Sequence, residues 1–294
     1  MIRSLKAAIT LFCILSSVPA FSQTLVLAQL SERPKKDFKE LRPMVAYMAE
    51  KLAPYGITSG QVRLFSELDD LIKAIKNGEV HWVTETPFTT ARLVYEAKAI
   101  PLLRKWKSGQ QSYVSLIYTR KDSGINSLAD LIGKKIALEH DQSFSSYFIP
   151  RIELAKRGIA TQLLENPNLN PAVDKAGLLL SRNEKNNILW VHKKIVDAGV
   201  INNDDWNNPS RMPPSFTPDL KVIYRSEPKV RAFELVSSTL STELTNALKQ
   251  ELLSMHIDSH KDILGRYERT TQFEEINTDT RILLREIYTL SNRW

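Results

Sequence analysis

Apolar positions along residues 38–52 follow the spacing of a single helix face: Leu41, Met44, Val45, Met48 and Leu52 recur every three or four residues. Short apolar runs flank this segment. Residues 25–28, 61–65, 80–83, 100–106, 113–119, 135–138, 196–201, 220–224 and 233–237 each have the length and composition of a strand. Between them, polar and special residues punctuate helices. Ser66 with Asp69 three positions on predicts a helix start that Gly78 closes. Pro87 opens a helix through Lys98, since proline suits a first helical position. Ser127 heads a short helix ended by Gly133. A helix over 144–157 ends at Gly158, Ser181 heads a helix to Ile195, and the chain closes with helices over 241–255 and onward to Trp294. Strands alternating with helices predict a mostly parallel sheet covered on both faces. No repeat of 20–50 residues and no low-complexity linker appears in the sequence.

The first 22 residues do not fit this alternation. Arg3 and Lys6 precede an apolar run from Ala7 to Leu15, and Ala20 and Ser22 stand at −3 and −1 to Gln23. This is the form of a cleaved export signal, which predicts a mature periplasmic chain beginning at Gln23. The run is short for a membrane anchor, which needs ~20 apolar residues. Cys13, the only cysteine, lies in this segment and is preceded by Phe12 rather than a small residue, so it reads as an apolar filler rather than a lipidation site. The mature chain then has neither a disulfide nor a thiolate nucleophile. The formal charge of +7 falls to +5 without the signal and is spread through interleaved acids and bases. With no basic arm or arginine block, nucleic-acid binding has no support.

Two groups of residues carry a family resemblance. Residues 122–137, with Ser127-Leu128-Ala129-Asp130-Leu131-Ile132-Gly133-Lys134-Lys135 at their centre, resemble the wider class of two-lobed receptors. Glu85-Thr86-Pro87-Phe88, then Tyr113 before Ser115, then Ser143-Phe144-Ser145-Ser146-Tyr147-Phe148-Ile149-Pro150, and later Val196-Asp197-Ala198-Gly199 and Asp205, follow a more specific order. The chain resembles the phosphonate/phosphite/phosphate-binding proteins among bacterial periplasmic solute-binding proteins, from about residue 25 to about residue 271. The resemblance implies a type II periplasmic binding fold: two α/β lobes, each a mostly parallel sheet flanked by helices. Lobe one is expected to take residues 23–115 and 230–294 and lobe two 116–229, joined by extended segments near 113–120 and 220–234. It also implies a small anionic ligand in an interlobe cleft, with an ABC permease as partner. A membrane sensor ectodomain is the alternative partner. No cofactor or metal is expected.

For the site, the resemblance points to Glu85, Tyr113, Ser143, Phe144, Ser145, Ser146 and Asp205. A helix start offers unpaired N–H groups and a positive dipole end, and three serines over residues 143–146 add hydroxyl donors. Plain N-capping by Ser143 accounts for the same residues without a ligand. Where the family has Ser-Thr-Ser, this chain has Ser143-Phe144-Ser145, which implies a smaller or more apolar pocket, or a ligand with fewer acceptor oxygens. Glu85 and Asp205 repel an anion unless they hold a proton or face a cationic pole of a zwitterionic ligand; solvated loop acids are the alternative. Tyr113 is either a hydroxyl donor or a packed strand aromatic, and His140 is expected in a surface loop.

Enzyme motifs are missing: the sequence has no G-x-S-x-G, H-E-x-x-H or P-loop. Ser226-Glu227-Pro228-Lys229 has the S-x-x-K spacing but contains a proline and no K-T-G follows. His256 and His260 have a metal-compatible spacing without a third ligand nearby.

Overall fold

Two six-stranded sheets organise residues 23–291, the part of the chain that the computed structural model describes. The expected export signal lies outside the described residues. From one edge, the first sheet runs Ile57–Phe65, Gln23–Leu30, Trp82–Glu85, Ala232–Val236, Ile100–Lys105 and Phe273–Glu275. The second runs Ala160–Leu163, Lys175–Leu180, Lys135–Leu138, Ala198–Asn202, Ser115–Arg120 and Leu220–Arg225. Each sheet has a strand that runs against the parallel set. In the first it is Ala232–Val236, late in the chain; in the second it is Ser115–Arg120, the first strand after the crossing. The chain thus leaves one lobe and later returns to it. At the junction, Ser112–Tyr113 pairs antiparallel with Lys229–Val230, with Tyr113 opposite Lys229.

Both sheets are buried on both faces, as parallel sheets must be. On one face of the first, Leu41, Met44, Val45 and Met48 of helix Pro34–Lys51 pack with Leu244, Leu248 and Leu252 of Thr242–Ser254. On the other face, Leu68–Lys76, Pro87–Glu96 and Thr278–Ser291 supply Leu71, Ile75, Ala91 and Leu284. This second cluster does not stop at the lobe boundary: it also contains Phe144, Phe148, Ile149 and Ile152 of the other lobe. The second sheet is covered by Ile149–Lys156 on one side and Glu184–His192 on the other.

Local chemistry moves several element starts from their expected positions. The first helix begins at Pro34, four residues early, because proline is preset for a first-turn position. Ser66 does not cap its helix; the N-cap is Glu67, without a side-chain bond. Ser127 does not cap either: Asp130 Oδ2 instead accepts from the N–H groups of Asn126 and Ser127 (both 2.9 Å). Ser181 gives way to Asn183, whose Oδ1 accepts from Asn186 N–H at 2.9 Å. The expected helix over 144–157 divides into a π-turn, Phe144–Phe148, and the α-helix Ile149–Lys156 with Pro150 in its first turn. Strands Ala160–Leu163 and Lys175–Leu180 were not expected. Gly177 lies within the second, where a Cβ would lie 2.7 Å from Leu164 Cδ1.

Candidate functional site

The parallel strands of both sheets point their carboxyl ends at one cleft of about 620 Å³, the position where open α/β sheets bind ligands. Gln29 and Leu30 end strand Gln23–Leu30, Glu85 ends Trp82–Glu85, and Lys107 follows Ile100–Lys105. From the other lobe, Glu139 and His140 follow Lys135–Leu138, Arg182 to Lys185 follow Lys175–Leu180, and Asn202 to Asp205 follow Ala198–Asn202.

The first-lobe floor is built on buried charge. Lys105 and Glu234 are fully buried. Lys105 Nζ lies 2.6 Å from Glu268 Oε2 and 3.5 Å from Glu234 Oε1. Burial works against the Lys105 charge, but the two carboxylates overcome it and hold the ammonium above its ordinary value. Burial also opposes the charge of Glu268, yet Lys105 and Lys107 hold it well below the usual carboxylate range. Lys107 donates to Glu268 Oε1 and faces the cleft; burial lowers its own affinity for protons. Trp82 Nε1 (2.6 Å) and Tyr267 Oη (3.1 Å) donate to Glu234 Oε2, so both acids have partners.

Arg231 sits beside this network, its guanidinium 4.3 Å from the centre of the Tyr113 ring. Its Nε is buried without a hydrogen-bond partner among the described residues. Burial raises the Tyr113 phenol above its ordinary value, and the neighbouring Arg231 and Ser145 pull it back. Glu85 is buried between these cations and the backbone. Leu30 N–H donates to its Oε1 at 2.7 Å and Thr86 N–H to its Oε2 at 3.2 Å. Burial pushes its carboxyl up to about 7, against the pull of these two donors and of Lys107.

The serine turn forms the facing wall. Ser143 Oγ accepts from Ser146 N–H at 3.1 Å, the capping bond expected of it. Ser143 and Ser145 line the cleft. Ser146 turns inward: its hydroxyl lies 3.1 Å from Val200 O and 3.2 Å from Glu139 N, and it does not line the cleft. Phe144 lines the cleft but is almost wholly buried, stacked 5.7 Å from Phe148 and tilted against Tyr113 at 6.3 Å, and Phe148 in turn packs on Phe88 (5.0 Å). Its ring thus touches Tyr113 of the first lobe and Phe148 of its own.

Near the mouth most acids have partners. Asp205 lies 3.5 Å and Glu184 4.0 Å from Arg211. Asp204 pairs with Arg269 across the lobes at 3.4 Å, Glu40 with Lys36 at 3.0 Å, and Asp37 accepts from Ser31 Oγ at 2.5 Å. Asp205 is held above its ordinary value by burial and by Glu184, against the pull of Asn202 and Arg211. Glu139 is pushed up by burial and by Glu184 beside it. His140 is half-buried in the cleft rather than in a surface loop, and burial lowers its basicity.

The family model for the periplasmic phosphonate substrate-binding protein of ABC transporters matches residues 28–280. The chain belongs to this family. Among solved structures it is similar to XAC2383 from Xanthomonas citri bound to chloride ion, with 30% identity, a TM-score of 0.87, and 92% of this chain and 98% of that chain covered. XAC2383 is also solved bound to ATP. PhnD1 from Prochlorococcus marinus in complex with methylphosphonate shares the fold at 16% identity, covering 92% and 99% with a TM-score of 0.70. So does a binding protein component of the ABC phosphonate transporter from Pseudomonas aeruginosa, at 19% identity, covering 92% and 87%, with a TM-score of 0.68. The family is one of periplasmic substrate-binding proteins of the phosphonate transporter type, not of enzymes.

Six of the seven residues picked out in the sequence line one cleft: Glu85, Tyr113, Ser143, Phe144, Ser145 and Asp205. Sequence reasoning missed Lys107, Arg231 and Arg211. None stands in a motif, and only the fold brings them beside Tyr113 and Asp205. His256 and His260 lie far along the chain: His256 Nδ1 N-caps the helix Ile257–Arg266, and among the described residues no group of three metal-ligating side chains occurs. Ser226 Oγ accepts from Ser115 N–H (2.9 Å) beside the crossing strands, with no lysine bonded to it.

Proposed function

We propose that the cleft captures a phosphonate- or phosphate-like oxyanion and that the protein hands it to an ABC permease. The observation that carries this is the facing of Lys107 and Arg231 on one wall with the Ser143–Ser145 turn on the other. These two partly buried cations repel each other, and an anion between them relieves the repulsion. Arg231 brings an unpartnered buried Nε to the same place. The 30% identical relative XAC2383 binds anions of very different size, chloride and ATP. In this reading Tyr113, Ser143 and Ser145 donate to the ligand, and Phe144 shapes the pocket. Glu85 and Asp205 stay protonated or paired, or face a cationic pole of the ligand. Residues 23–115 with 230–294 move against 116–229 about the paired segments Ser112–Tyr113 and Lys229–Val230.

The test is thermal unfolding of the mature protein with phosphate, phosphite, methylphosphonate, sulfate and acetate. At a hundred times Kd a bound ligand adds ~2.7 kcal/mol, which raises Tm by about 5–10 °C for a chain of this size. Arg231→Ala should abolish the shift. If no oxyanion raises Tm while a neutral or cationic solute does, the reading fails.

A further inference from the structure

The cleft is much larger than a lone phosphate needs. About 620 Å³ lies within the range of sites that enclose drug-sized ligands, whereas phosphate has five heavy atoms. The floor with Lys107 and Arg231 takes up one end. The other end opens at a mouth where the acids Asp204, Asp205 and Glu184 are already engaged by arginines. Three cations there make no ion pair among the described residues: Arg33 on the first lobe, and Arg182 and Lys185 on the second. Arg33 stands close enough to the second lobe for its charge to act on Glu139, His140 and Glu184, and Arg182 and Lys185 line the same cleft on either side of Glu184. Arg182 is fixed at the rim in a left-handed conformation (φ 73°), its N–H donating to Glu139 O at 2.7 Å. Between floor and mouth, His140 Nδ1 and Gln142 Oε1 are buried in the cleft lining without hydrogen-bond partners among the described residues. The helix Pro34–Lys51 starts at this mouth, and its dipole adds to the same sign of field.

We infer that Arg33, Arg182 and Lys185 form a second anion subsite, and that the cleft takes an extended ligand carrying two anionic groups, of the diphosphate class, one at the floor and one at the mouth. This rests on the oxyanion reading above and deepens it. Two cationic groups in one cleft favour anionic groups joined in one molecule over two separate ions, because the second group binds at the high effective concentration set by the first.

Calorimetry on the mature protein tests it with inorganic phosphate, inorganic pyrophosphate and ADP. The wild type should bind pyrophosphate, ADP or both at least about tenfold more tightly than phosphate. Tightening by pyrophosphate alone assigns an inorganic ligand, and tightening by ADP assigns a diphosphate ester. The double substitution Arg182→Ala/Lys185→Ala should remove that advantage and leave phosphate affinity within about twofold. Arg33→Ala should do the same from the opposite lobe. Both changes are at exposed side chains, and an unchanged urea midpoint certifies folding. Phosphate binding as tightly as the diphosphates, or a mouth variant that weakens all three ligands alike, overturns the inference while leaving the oxyanion reading standing. Failure of every oxyanion to bind overturns both.

Discussion

Replacing Glu85 by Gln removes the carboxyl of the cleft floor that burial holds near neutrality. Its proton affinity rises from an ordinary value of 4.5 to about 7 on folding. At ~1.4 kcal/mol per unit this amounts to about 3 kcal/mol. The sign follows from linkage: the folded state binds this proton more tightly than the unfolded chain does. The resulting stabilisation is complete below pH 4.5, is lost as pH rises through about 7, and is absent above it. The uncharged Gln cannot follow that curve. It also loses one acceptor, facing either Leu30 N–H or Thr86 N–H with its amide nitrogen, but that cost of ~1 kcal/mol is independent of pH. Urea unfolding of both proteins at pH 5 and pH 8 therefore isolates the carboxyl. Relative to wild type, Glu85→Gln should gain up to about 3 kcal/mol between the two pH values. The same group bears on binding. A carboxylate ~7 Å from an anion at an effective dielectric of ~20 costs about 2.4 kcal/mol, so sulfate, which does not titrate here, should bind wild type up to about fifty-fold more weakly at pH 8 than at pH 6. The variant should lose the Glu85 share of that difference and keep the share of Glu139, whose carboxyl in the same cleft is also held up, to about 8. A stability difference between the two proteins that is the same at pH 5 and pH 8 would refute the reasoning.

Ser143→Ala removes the cap on Ser146 N–H and should cost about 1 kcal/mol of stability in urea; calorimetry should show about tenfold weaker oxyanion binding, and unchanged affinity in a folded variant would leave Ser143 a cap and nothing more. Phe144→Thr empties a nearly buried aromatic site and should destabilise by about 3 kcal/mol, while tightening methylphosphonate, which the native ring hinders; no gain in calorimetry would mean that the ring does not shape the pocket.

The layered fold was legible because its signals are local and repeated. Leu41, Met44, Val45 and Met48 keep helical spacing and all are buried against the first sheet. Short apolar runs such as 135–138 became central parallel strands. Lys175–Leu180 escaped because Ala-Gly-Leu-Leu-Leu has no alternation, and it is buried on both faces, where periodicity vanishes. Cap positions slipped at Ser66, Ser127 and Ser181 because a serine near a helix start has several local partners, and tertiary packing chooses among them. In the cleft, the residues with motif neighbours, Glu85 and the serine turn, stood out. Lys107 and Arg231 did not, since 124 positions separate them and only the crossing strands bring them together. Their cost, and their use, come from burial, which no sequence pattern records.

That burial also explains why a charged network lies under a binding cleft at all. Lys105, Glu234 and Glu268 give up hydration that ion pairing alone seldom returns, so the cluster is poor evidence of added stability. What it does is hold position. Glu268 is held by Lys105 behind it and Gln29 Nε2 at its side (3.1 Å), and in turn holds the Lys107 ammonium that faces the cleft. Glu268 and Arg269 are themselves in left-handed conformations (φ 52° and 55°), which only strong local bonding sustains in residues with side chains. On the other side, Arg231 sits over the Tyr113 ring, and Tyr113 meets Phe144 of the opposite lobe. The cations of the floor are therefore tied to the rigid first sheet on one side and to the lobe contact on the other. A site built this way keeps its charges placed before any ligand arrives, and the ordering that an exposed lysine or arginine would lose on binding has already been lost on folding.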